Sequence, residues 1–198
     1  MQALNFVTKD ELLNQLESQI KETGIWWDES DVDENGIVDI SNLESEFKHL
    51  TVSSKQIDFM KIHGIDLDDF CRDHEIDFVS QAYDGEIEFI HATRVSNFED
   101  IKQMGLIVNP DATYIPDLGE GIYGVDANSE KGIDNLKTFL MDFNDDEILL
   151  VKGIYNGKYN YCIKGENHEG YILFYDKVIS PINLSYKIMQ LNDFFFEY

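Results

Sequence analysis

Glu86-Ile87-Glu88-Phe89-Ile90 alternates charged and apolar side chains, the period-two pattern of a strand with one buried face. The run continues into His91-Ala92-Thr93-Arg94, so the strand is expected to end on an imidazole, a hydroxyl and a guanidinium. Just upstream, Asp84-Gly85 marks a change of character. Before it apolar residues recur at helical spacing; after it alternation and turn dipeptides dominate.

Upstream, Thr8 and Glu11 have capping-box spacing, and Leu12, Leu13, Leu16 and Ile20 line one helical face. Ser41 and Glu44 repeat the pattern ahead of Leu43, Phe47 and Leu50, which predicts a second helix. Ile57, Met60 and Ile62 form a third, stopped by Gly64, and Asp66 caps a fourth carrying Leu67 and Phe70. A fifth is expected over 74–82.

Downstream, Phe98, Ile101, Met104 and Leu106 suggest a short helix ended by Gly105. Ile148–Val151 and Tyr159–Ile163 flank Asn156-Gly157, the dipeptide best suited to a tight hairpin turn. Tyr171–Tyr175 and Ile182–Ile188 read as further strands. The expected fold is α+β, with a helical N-terminal part over 1–84 and an antiparallel-sheet-rich part over 85–198.

The chain has 198 residues, of which 43% are hydrophobic, enough for a core. Its 39 Asp and Glu against 15 Lys and Arg give a formal net charge of -24. Such a field repels phosphate backbones and anionic membranes and favours a partner with a basic protein surface. The two cysteines, Cys71 and Cys162, exclude a cysteine zinc site or a disulfide framework. The first residues lack the basic and apolar regions of a secretory signal. No apolar run approaches the roughly 18 residues of a membrane helix. The expected location is cytoplasmic.

Four short segments fall in a telling order. They are His91-Ala92-Thr93-Arg94, Gly105-Leu106, Gly119-Glu120-Gly121-Ile122-Tyr123, and Glu169-Gly170-Tyr171-Ile172. Together they resemble the catalytic domain of ADP-ribosyltransferases of the poly-ADP-ribose polymerase and diphtheria-toxin type, marked by a His-Tyr-Glu set. The resemblance spans roughly residues 86–190 and implies NAD as substrate. It implies that His91 meets a ribose hydroxyl, that the Ala92 backbone pairs with the carboxamide, and that Thr93 adds a hydroxyl contact. Arg94 reads either as a charge at a helix edge or as a contact to the phosphates, Gly121 would let the backbone approach a flat ligand, and Tyr123 would stack on the nicotinamide. Glu169 is the implied catalytic carboxylate, stabilising an oxocarbenium-like ribose through its 2′-hydroxyl.

The chain departs from that pattern in several places. Ala92 replaces the usual Gly, and Ile133-Asp134-Asn135 stands where a second stacking Tyr is expected. Gly170 separates Glu169 from Tyr171; one residue of register turns a side chain to the other face unless a bulge intervenes. Glu166 is therefore the rival acid. The resemblance implies transfer of ADP-ribose from NAD to a protein target, with the N-terminal part recognising that target or supporting the site. A small acidic transferase of this kind suits a bacterial or phage effector. The alternative is a catalytically inactive acidic decoy that occupies a basic or nucleic-acid-binding partner. The related RNA 2′-phosphotransferase branch is disfavoured, because it needs more cations than this chain supplies.

A second motif is Asp31-Val32-Asp33-Glu34-Asn35-Gly36-Ile37-Val38-Asp39. It matches the first nine positions of a calcium loop, but Asn42 stands where a bidentate Glu belongs. It reads either as a calcium site, on which a calcium-binding interaction module would rest, or as an acidic turn between strands. Thermal melts in millimolar calcium separate the two. A site raises the melting temperature and Asp31→Ala cancels the rise, whereas a turn gives a flat response.

Overall fold

Two long strands carry the architecture: β3, Phe78–Arg94, and β6, Glu147–Lys164. In the computed structural model, which describes residues 8–25, 45–108, 121–141, 143–165 and 168–198, they pair antiparallel from Ser80↔Cys162 to Arg94↔Ile148 in unbroken register. The hairpin expected at Asn156-Gly157 is therefore not formed. A turn there would pair Tyr155 with Lys158, but these residues face Ile87 and Asp84 on β3, and Gly157 lies opposite Gly85. A partner strand spanning the whole segment outcompetes the local turn. The change of character at Asp84-Gly85 likewise falls inside β3, so residues on either side of it belong to one sheet.

The other strands are β1, Lys21–Ile25; β2, Ser45–Ser53; β4, Leu106–Ile107; β5, Ile122–Asp126; β7, Tyr171–Phe174; β8, Val178–Ile179; and β9, Leu184–Gln190. The seven-stranded sheet runs β1-β2-β3-β5-β7-β6-β9, and the β3–β6 pairing closes part of it on itself. All of its pairs are antiparallel except β2 with β3. The six helices of the described residues are α1, Lys9–Gln19; α2, Ser54–Ile62; α3, Leu67–His74; α4, Phe98–Met104; α5, Glu130–Leu140; and α6, Leu191–Glu197. The class is α+β, as expected. No helix among the described residues is long and apolar enough to cross a membrane.

Strand alternation sorts the side chains into two cores. The enclosed face holds Phe89, Ile122, Leu149, Val151, Tyr155, Tyr159, Ile172 and Phe174. There Phe89 and Phe174, from strands that do not pair, have ring centroids 4.8 Å apart. The outer face carries Ile90, Val125, Leu150 and Leu173 beneath α5 and α6. A third core, with Leu12, Leu16, Leu50, Val52, Met60 and Phe70, lies in the N-terminal part.

The capping box at Thr8 forms as expected, with Glu11 N donating to Thr8 Oγ1 at 3.2 Å and Thr8 N to Glu11 Oε2 at 3.0 Å. Helices α2 and α3 match expectation, and Asp66 caps α3. Two expected helices are corrected. Within 41–50 the described residues belong to β2, because Leu50 and Val52 alternate into the third core while the backbone pairs parallel with Phe78–Ala82. The helix expected over 74–82 stops at His74, where Glu75 turns left-handed at φ 55°, and the chain enters β3. The Asp31 loop and Asn42 lie outside the described residues.

Phe174 also sits 4.7 Å from Tyr155, joining three strands. Phe174→Ala is expected to destabilise the fold by about 3–5 kcal/mol, measured as a shift of the urea midpoint at unchanged slope. A loss below about 1 kcal/mol would mean that this core collapses around the gap or never held the strands together.

Candidate functional site

The site begins where two strands part. β5 pairs with β3 at only Phe89↔Asp126 and Ile90↔Val125. Beyond Ile90, β3 continues against β6 while Ile122–Gly124 of β5 pair with β7. The opening is a cavity of about 770 Å³, within the about 300–1,000 Å³ typical of small-molecule sites. Helices α4 and α5 complete its walls.

All six residues expected to contact the ligand, His91, Ala92, Thr93, Arg94, Gly121 and Tyr123, border this cavity. His91 and Thr93 stand on alternate positions of β3, as do Ala92 and Arg94. Tyr123 packs against the outer core. The parting of the strands lets both faces border one space.

His91 Nδ1 lies 2.8 Å from the Tyr123 carbonyl oxygen. A carbonyl only accepts, so Nδ1 carries the proton and Nε2 keeps its lone pair. Burial lowers the His91 pKa from its ordinary value, outweighing the opposing effect of the bond to Tyr123. The ring is thus a neutral hydrogen-bond acceptor in a fixed tautomer, suited to a ligand hydroxyl. Thr93 Oγ1 accepts from Asn97 Nδ2 at 2.9 Å, which leaves the hydroxyl proton to donate elsewhere. The Arg94 guanidinium, 67% exposed, has Nε 3.3 Å from Asp145 Oδ2. A Cβ added at Gly121 would meet Leu173 Cδ1 at 2.1 Å, so a side chain there would displace Leu173.

The carboxylate is placed differently. Glu169 does not border the cavity; its side chain pairs with Lys131, while its neighbours His168 and Tyr171 line the wall. Gly170, at φ 91°, absorbs the extra residue between Glu169 and Tyr171. Its N–H donates to Cys162 O at 2.9 Å, and its carbonyl accepts from Asp126 N at 3.0 Å. A Cβ there would come within 2.6 Å of Gly132 Cα, so the turn and the first coil of α5 fit only as glycine against glycine. Asn135 Nδ2 donates to Glu169 O at 2.8 Å and further fixes the turn. Glu166 and Gly119 lie outside the described residues.

Helix α5 supplies what sequence reasoning missed. Asn135 stands in the segment where the second aromatic was absent and borders the cavity, as does Phe139 one turn on. Phe139 meets Phe143, also a lining residue, edge to face at 5.3 Å. The signal was present: Ser129 caps through Gly132 N at 3.0 Å, and Ile133, Leu136 and Leu140 share a face.

Among the described residues no group of three His, Cys, Asp or Glu is placed to hold a metal. Comparison with family models, with curated proteins and with solved structures finds no match.

The assigned His91 state is measurable by nitrogen-15 NMR. At pH 7 the ring is expected to be neutral with the proton on Nδ1. Because its folded pKa is depressed, the unfolded chain takes up the proton first, so His91 costs stability as pH falls below about 6.5. His91→Gln is expected to make that part of the stability profile shallower, leaving the contribution of buried His49, whose pKa is lowered to about 4. An Nε2-protonated tautomer or a ring charged at pH 7 would contradict the assignment.

Proposed function

We propose that the protein binds NAD in this cavity and transfers ADP-ribose from it to a protein with a basic surface, releasing nicotinamide. One observation carries the reading: the six residues singled out as ligand contacts, scattered over the 33 positions from His91 to Tyr123, border a single cavity of suitable size. The neutral His91 acceptor suits a ribose hydroxyl. Tyr123 offers a ring to the nicotinamide, where stacking adds about 0.5–1.5 kcal/mol beyond area burial.

In the reaction, the bond between the ribose anomeric carbon and the nicotinamide nitrogen breaks, and its electron pair neutralises the pyridinium. The acceptor's nucleophile then bonds to that carbon and gives up its proton. Positive charge develops on the ribose, and a carboxylate on the 2′-hydroxyl stabilises it. Glu169 fills this role by exchanging Lys131 for the hydroxyl. Lys131 is 68% exposed and Glu169 35%, and exposed ion pairs of this type are typically worth only about 0–1 kcal/mol.

The placement of Glu169 outside the cavity wall favours a second reading, an inactive acidic protein that binds a basic partner. Labelled NAD separates the two. Under the transferase reading, label moves to a protein target, and Glu169→Gln keeps NAD affinity but lowers the rate about 10²–10³-fold, or roughly 3–4 kcal/mol. Collapse in Glu166→Gln alone moves the role to Glu166. NAD binding without turnover in wild type supports the decoy.

A further inference from the structure

Strand β3 has a gap along one edge. Its first residues pair with β2 as far as Ala82, and it meets β5 only from Phe89. Between them, Tyr83–Glu88 pair with β6 alone. The direction of the backbone groups follows from two bonds: Ala127 N donates to Glu88 O, and Tyr175 N donates to Lys158 O. Even-numbered residues of both strands therefore turn their N–H and C=O away from the β3–β6 ladder. The N–H and C=O of Asp84 and Glu86 and the N–H of Glu88 have no partner among the described residues. A stretch of five residues, about 17 Å of strand, is thus an open template among the described residues.

The side chains beside this edge share one sign. Asp84, Glu86 and Glu88 lie at i, i+2 and i+4, hence on one face, and all three are exposed. Lys158, opposite Asp84, is the basic residue cross-strand from them. On the other face Tyr83 stacks on Tyr159 at 5.4 Å, which holds the strand extended.

We propose that the open stretch of β3 between β2 and β5 takes up an extended basic segment of a partner protein as an added strand. Edge addition supplies main-chain hydrogen bonds, and alternate side chains set specificity. Lys or Arg at every second position of the segment falls opposite the three carboxylates, where opposite charges stabilise a cross-strand pair. A second copy of this chain is the wrong occupant, because it would set carboxylate against carboxylate. Nothing in this assignment depends on NAD.

A blocked seven-residue peptide alternating Arg and Val, titrated into the nitrogen-15-labelled full chain at low salt, is the test. The amides of Asp84, Glu86 and Glu88 are expected to gain exchange protection, while Tyr83, Gly85 and Ile87, already bonded to β6, stay unchanged. N-methylation of the peptide's edge-facing amides is expected to weaken binding at least tenfold, and a Glu-Val peptide is expected not to bind. The exposed triple variant Asp84→Lys, Glu86→Lys, Glu88→Lys is expected to reverse that preference. Several results overturn the proposal: equal binding by the N-methylated peptide, which means bulk attraction alone; protection elsewhere; no binding at millimolar peptide; or protection that rises with protein concentration without peptide, which means a second copy.

Discussion

The rest of the structure depends on the register between β3 and β6. From Ser80↔Cys162 to Arg94↔Ile148 each pair sums to the same number, so residues of like parity face the same way on both strands. Odd positions, from Phe89 to Leu149, Val151, Tyr155 and Tyr159, enter the enclosed core. Even positions, from Ile90 and Ala92 to Ile148, Leu150 and Cys162, meet the helices outside. A slip of one residue would exchange the two sets and expose both.

The cavity follows from the same constraint. β6 holds β3 in register through Arg94, while Ile122–Gly124 of β5, ahead of its two pairs with β3, go with β7, and the strands open where both carry chemically useful groups. The bond from His91 to the Tyr123 carbonyl spans that opening, so one contact fixes the tautomer of the imidazole and ties the two walls. On the far wall, the close approach of Gly170 and Gly132 seats the Glu169 turn on α5, which brings Asn135 and Phe139 to the cavity.

Much of this was legible in the sequence, for physical reasons. Thr8 and Asp66 announce helices because their caps act within three residues. The alternation of Glu86–Ile90 announces a strand because one of its faces is buried. The residues His91–Arg94, Gly121 and Tyr123, which border the cavity, were legible as short motifs. What stayed hidden is non-local. Asn156-Gly157 carries a strong turn signal, but a strand some seventy residues earlier claims it. Leu43, Phe47 and Leu50 have helical spacing, yet Leu50 and Val52 are buried from a strand that gains a parallel partner in β3. Helix α5 was overlooked although its cap and apolar face were both readable. The side to which Glu169 turns depends on Gly170 and Lys131 together, which no local pattern encodes.

Transfer from NAD, as proposed, requires the opening between β3 and β5 to be a nucleotide site. A crystal of the wild-type protein soaked in NAD measures this most directly. The nicotinamide riboside is expected between Tyr123 and His91, with a ribose hydroxyl within about 3 Å of His91 Nε2. NAD bound elsewhere on the molecule, or an empty cavity at millimolar NAD, would contradict it.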